Sequence, residues 1–239
     1  MTPHLPIELS IAFALTTLLT LILFRRAVTT ADQASTKRTG LRLTIVIIAW
    51  LCLQAAVSVA GFYANHPDSF PPRIAAFGVL PTLIAMGVTF STVSGRRFVD
   101  SLSLFEITCV HTVRIFVELI LWWLFLQGAV PELMTFEGRN LDILAGLTAP
   151  FVAYFGIVKK MISRWMIMIW NFACLGLLFN IVIIAVLSVP SPIQQLAFDL
   201  PNVAVLIFPI SWLPTFVVPV VLFCHLVAIR QLWTQSKYE

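Results

Sequence analysis

The sequence predicts an all-α polytopic membrane protein, a single seven-helix transmembrane domain filling residues 1–239. Three observations lead there. Hydrophobic residues make up 59% of the chain and charged residues only 11%, with a mean hydropathy of +0.96, whereas soluble domains carry about 25% charged residues. Seven apolar segments, each near the roughly 20 residues needed to cross a hydrocarbon core, lie at 7–24, 43–63, 74–93, 102–126, 141–158, 165–189 and 203–229. Finally, twelve of the fifteen Lys and Arg residues fall in alternate gaps between them.

Segments this long and apolar must be helical, because their amides find no water in the bilayer and have to pair internally. The two-residue alternation of a membrane β-barrel strand is missing. Arg25, Arg26, Lys37, Arg38 and Arg42 follow the first span, Arg96 and Arg97 the third, Lys159, Lys160 and Arg164 the fifth, and Arg230 and Lys237 the seventh. Basic residues mark cytoplasmic loops, so the N-terminus is expected outside and the C-terminus inside. Arg73 and Arg139 fall on the outer side, and Arg114 is left inside a span.

The first span has no basic residue before it and an Arg pair after it, which favours a retained N-out anchor over a cleaved signal peptide. The second carries one mid-span amide, Gln54, and the third carries Pro81 and Thr82. Glu106, His111, Arg114 and Glu118 occur in the fourth, a span otherwise suited to lipid and closed by Trp122, Trp123 and Phe125. At about 100° per residue, His111, Arg114 and Glu118 share a sector of about 60°, and Arg114 to Glu118 is an i,i+4 pair. Glu106 lies about 80° from Arg114 on the helix and reads as a solvated interfacial carboxylate.

The fifth span has a small-residue seam of Ala145, Ala149 and Ala153 beside Gly146, then Pro150, Thr148 and Tyr154. Just before it, residues 136–142 form the most polar outer stretch, with Asn140 suited to cap the helix and Asp142 to its positive dipole. That stretch is either a capped helix start or an outer gate made by Glu137, Arg139 and Asp142. The sixth span begins at Trp165 and contains Asn180. The seventh contains Pro209, Pro214 and Pro219, Ser211, Thr215 and His225, with Trp233 at its inner end. A proline removes an amide donor and clashes with the carbonyl four residues back, so this helix is expected to be bent or locally unwound.

Charge at mid-bilayer costs about 2.5–3.5 kcal/mol even on lenient scales, so the face bearing His111, Arg114 and Glu118 must look into the bundle or toward water. It is either a buried pair that fixes packing or the place where a solute is handled. Gln54, Asn180, Tyr154, Ser211 and Thr215 are further ligand or ion-binding candidates if their faces converge.

Several classes are excluded. A retinal protein needs a lysine inside its last helix, but lysines occur only at 37, 159, 160 and 237. Receptor signatures such as N-P-x-x-Y are missing, as is the histidine set of zinc-dependent seven-helix hydrolases. No repeat relates the first three spans to the last three. The four cysteines, at 52, 109, 174 and 224, lie inside spans and indicate no disulfide framework. Cys109, His111, Cys224 and His225 would make a metal site only if the fourth and seventh helices touch. No cofactor motif, metal site or nucleic-acid surface is expected, and the partners expected are the bilayer and a small polar ligand or ion, with no oligomer specified.

The reading that follows is a small transporter or channel for an ion, proton or small polar solute. Its alternatives are a sensor that signals through a partner and an intramembrane lipid-modifying enzyme using Glu118 or His111. A cell-membrane location, compatible with a bacterial inner membrane, fits the lack of an N-x-S/T sequon.

Overall fold

The computed structural model describes residues 5–30 and 34–235, and side chains for all of these except 34–39 and 235. His4 and Lys237 lie outside the described residues, as do the side chains of Lys37 and Arg38. Every regular element described is helical. The elements are α1 (Ile7–Thr29), α2 (Ala34–Val59), α3 (Leu80–Ser91, preceded by a π turn over Ala75–Val79), α4 (Val93–Ser101), α5 (Leu104–Val110), α6 (Val113–Leu126), α7 (Ile143–Phe151, widening into a π-helix over Val152–Val158), α8 (Arg164–Ser188) and α9 (Val218–Gln235, preceded by a π turn over Leu213–Val217).

Five helical rods are long and apolar enough to cross a membrane: 7–29, 40–59, 104–126, 164–188 and 213–234. The expected third and fifth spans fall short of that length. The third ends at Ser91, where the chain bends by 92° into α4; counted as one bent span it makes six. The fifth is nine α-helical plus seven π-helical residues. Hydropathy counts apolar residues without registering how many of them the backbone spends on a corner or a buried loop, and both shortfalls have that origin.

The corner at Thr92 is built locally. Thr92 is extended, and its hydroxyl accepts from the Gly95 amide at 3.2 Å, an N-cap for α4. Arg96 donates to the last carbonyls of α3, Ser91 O at 2.6 Å and Phe90 O at 3.3 Å. Helix α4 is amphipathic and is held to α9 by Arg230, which donates to both carboxylate oxygens of Asp100 at 2.8 Å, and by Gln231, which donates to Val99 O and Leu102 O at 2.8 and 2.9 Å. Arg26 pairs with Glu106 at 3.0 Å and Arg164 donates to Leu232 O, so one end of the bundle collects these basic groups. Glu106 is buried and paired there, not solvated as its place on the helical wheel implies.

The rod α5–α6 and helix α9 are the centre. Half of the apolar window of the first and two thirds of that of the second are buried, against 17% for α2. Helix α1 packs along α5 and α6, α7 lies on α6, and α8 and α5 lie on α9. The buried face of α1, Leu9, Phe13, Thr16, Thr17, Thr20, Phe24 and Ala27, has helical spacing. Its three threonines return their hydroxyls to the carbonyls four residues back, so an apolar environment meets no free donor.

Prolines leave two carbonyls that α2 satisfies. The carbonyl four residues before Pro81, Phe77 O, accepts from Gln54 Nε2 at 3.3 Å, and the one four residues before Pro219, Thr215 O, accepts from the Trp50 indole at 3.0 Å. Trp50→Phe should therefore destabilise the fold by about 1–3 kcal/mol, the cost of a buried unsatisfied acceptor. In a Pro219→Ala background, where residue 219 regains its amide donor, the same substitution should cost less than half as much; equal costs in a detergent unfolding titration would refute this account.

Candidate functional site

Arg114 is the centre of the buried polar structure. The helix that carries it is interrupted at His111–Thr112, where amides 111, 112, 114 and 115 bond three residues back at 3.1–3.2 Å. Such a tightened stretch inside a helix marks strain or a hinge. From α6 the guanidinium reaches Asp142, its Nε donating to Oδ2 at 2.6 Å and its Nη2 to Oδ1. Nη2 also donates to Cys174 O at 3.0 Å, and Nη1 to His225 Nε2 at 3.0 Å. Arg114 is 2% exposed and Asp142 4%, so the pair is fully inside.

This network assigns the histidine tautomer. Arginine only donates, so His225 Nε2 must be an acceptor and the ring proton sits on Nδ1. That nitrogen faces Asn171 Oδ1 at 3.0 Å, and Asn171 Nδ2 in turn donates to Ile167 O at 2.9 Å. Every group along this arm is satisfied. His111 is the exception: wholly buried, stacked on His225 with centroids 3.8 Å apart and edge-on to Trp170 at 5.7 Å, it has no hydrogen-bond partner among the described residues on either ring nitrogen.

Glu118, one turn further along α6, is not the partner of Arg114. Its Oε2 accepts from Asn140 Nδ2 at 2.6 Å, and Asn140 is fixed by a second donation to Met134 O at 3.0 Å and by accepting from the Asp142 amide at 3.1 Å. The i,i+4 pairing expected from spacing is thus replaced by contacts with the segment before α7. Close approach of that segment is allowed by Gly146, where a Cβ would sit 2.8 Å from Ile115 N and 3.3 Å from Arg114 Cβ.

The path of that segment matters. Helix α6 ends at Leu126, and Gly128, at φ 68°, reverses the chain, a left-handed cap that glycine adopts without strain. Residues 129–142 then run back into the bundle against α6 and α8, burying Met134, Thr135 and Asn140. Glu118 lies eight residues before the end of α6, so Asn140 meets it about 12 Å below that end. Helix α7 is short because the chain reaches mid-bundle as a loop before α7 begins.

A second irregular stretch lies beside it. Residues 202–212 contain only a 3₁₀ turn, Ala204–Leu206, and the Ala204 amide donates to Ala129 O at 3.2 Å. The proline-rich seventh span is thus unwound at its start, and its π turn begins at Leu213. In this half of the molecule Ser188 Oγ, Asn202 Oδ1, Ser211 Oγ and Trp122 Nε1 are buried with no partner among the described residues.

The remaining expected site residues go elsewhere. Glu137 and Arg139 are exposed, separate from buried Asp142, so no gate of the three assembles. Asn180 is exposed and donates to Arg139 O at 2.9 Å, and Tyr154 is 46% exposed. Gln54, Ser211 and Thr215 form a second buried group around Tyr63: its hydroxyl donates to Gln54 Oε1 at 2.5 Å, Thr215 Oγ1 donates to Ser211 O at 2.8 Å, and Gly78 packs between Tyr63 and Thr215. Helices α5 and α9 do touch, yet among the described residues no three His, Cys, Asp or Glu side chains converge as metal ligands. Spacing alone does not reveal Asn171, the joining of Asp142 and His225 to Arg114, or that of Asn140 to Glu118; a buried arginine's need for a carboxylate was the available clue.

Residues 69–233 match the family described as a domain of unknown function, DUF8737. The chain belongs to that family. The match runs from before α3 into the last turn of α9 and includes the whole Arg114 network, whereas α1, Trp50 and Gln54 precede it. No curated protein and no solved structure matches the chain.

Proposed function

We propose that this is a small multi-pass transporter for an ion, proton or small polar solute, with Arg114 and Asp142 as the paired charges of a mid-membrane site. In this reading the chain crosses a cell membrane seven times. The short helices 75–91 and 143–158 are two of the crossings, the N-terminus is outside, and the end that gathers Arg26, Arg164 and Arg230 is cytoplasmic. The several apolar, span-length helices support a membrane location.

The observation that carries the reading is how Asp142 is delivered. It arrives at the foot of an irregular loop that descends inside the bundle, beside a second irregular segment at 202–212. Backbone of this kind at membrane depth is tolerated only where it is buried in protein or lines a water-filled path, and broken segments at mid-membrane are how many transporters build their sites. A loop can withdraw from Arg114 in a way a rigid neighbouring helix cannot. Unpartnered Ser188, Asn202 and Ser211 line the same half, and His111 lies just beyond the pair with two free ring nitrogens.

The test uses purified protein in liposomes containing a pH-sensitive dye, with proton, Na⁺, K⁺ and Cl⁻ gradients imposed in turn. At least one flux should exceed that of protein-free vesicles and be lost in Asp142→Asn. His111→Phe should also lower it while leaving stability equal or higher, because an orphaned buried polar group is replaced by an apolar one. Fluxes equal to those of empty vesicles under every gradient, or an unaltered flux in Asp142→Asn, would overturn the proposal.

A further inference from the structure

A groove of about 280 Å³ runs along the bundle surface between α2 and α3, backed by α9. Its wall includes Trp50, Pro81, Ala85, Phe216 and Phe223. The polar groups on it are spent internally: Trp50 donates to Thr215 O, Thr82 to Val79 O at 2.6 Å, Thr89 to Ala85 O at 2.8 Å and Thr215 to Ser211 O. What fills the groove must therefore be apolar.

The rim has the opposite character. Three lining residues, Phe24, Leu43 and Phe98, come from three different helices, and each is followed or preceded by an exposed arginine: Arg25, Arg42 and Arg97. Adjacent Cα atoms are about 3.8 Å apart, so three arginine-bearing positions, on α1, α2 and α4, lie beside residues that line the apolar slot, within reach of it for a side chain as long as arginine's. None of the three makes an ion pair among the described residues, whereas Arg26 and Arg230 are paired with Glu106 and Asp100. The rim carries uncompensated positive charge.

We propose that this groove is a binding site for an anionic phospholipid, one acyl chain lying along α3 and α9 against Trp50 and the phosphate held by Arg25, Arg42 and Arg97. A basic residue near an anionic headgroup contributes about fivefold in affinity, so a three-arginine rim distinguishes an anionic from a zwitterionic headgroup on the same chain. This site is separate from the Arg114 network, and its failure would leave the transport reading untouched.

The purified protein in mixed micelles is titrated with phosphatidylglycerol or phosphatidylcholine bearing a dibrominated acyl chain, with tryptophan quenching as readout. Brominated phosphatidylglycerol should quench a saturable component that is missing in Trp50→Phe, at a midpoint well below that of the choline lipid. Ala85→Phe, which fills the groove, should abolish that component. Arg25→Ala/Arg42→Ala/Arg97→Ala, at exposed positions that spare the fold, should bring the two lipids to one midpoint while quenching persists. Equal midpoints in the unaltered protein, or quenching unaffected by Ala85→Phe, would overturn the site.

Discussion

Asp142→Ala should be among the most damaging single substitutions in this protein. It leaves the Arg114 guanidinium buried with no counter-charge, and breaking one side of a buried pair costs about 3–5 kcal/mol. The loss is read as a lowered midpoint when the protein is titrated with a denaturing detergent and followed by tryptophan fluorescence. Arg114→Met combined with Asp142→Leu removes both charges, and such replacements are often neutral or stabilising by about 1–4 kcal/mol. The double variant should therefore recover stability while its flux stays lost, separating what the pair does for packing from what it does for a solute. Glu118→Gln is the control for the partner: its amide oxygen still accepts from Asn140, so stability should fall by less than about 1 kcal/mol, comparable to one neutral hydrogen bond. Were Glu118 the partner of Arg114, Glu118→Gln would match Asp142→Ala.

The helical class, the apolar segments and the isolation of Arg114 were legible in the sequence because each follows from local composition. An apolar run has few alternatives in a bilayer, and a charge inside one is conspicuous. What could not be read was the path of polar backbone inside the bundle. Residues 136–142 resemble a surface loop leading into a capped helix, yet Asn140 and Asp142 are buried and spent on Glu118 and Arg114. Nothing local distinguishes a loop above the membrane from one packed into it. On an isolated α6 rod the i,i+4 pair of Arg114 and Glu118 is the best available; a bidentate carboxylate from another segment is better satisfied geometrically. Gln54 likewise read as a lining residue for a cavity, and its amide instead serves the carbonyl before Pro81, a tertiary contact invisible in either helix alone.

Identical substitutions at two glycines separate close approach from helix propensity. At Gly176, on α8, a Cβ meets nothing among the described residues within 4 Å, whereas at Gly146 it would meet the Ile115 amide nitrogen at 2.8 Å. Gly176→Ala should be neutral or stabilising by up to about 1 kcal/mol, since alanine is the better helix former. Gly146→Ala gains the same propensity and should still destabilise by about 1–3 kcal/mol, the cost of overpacking. That nitrogen is backbone, so no rotamer change relieves the contact and α7 must move away from α6. That displacement acts where Asp142 grips Arg114, four residues earlier on the same segment, so flux should fall more steeply than stability alone accounts for. If Gly146→Ala and Gly176→Ala had the same midpoint and the same flux, the tight α6–α7 contact would not be what holds Asp142 in place.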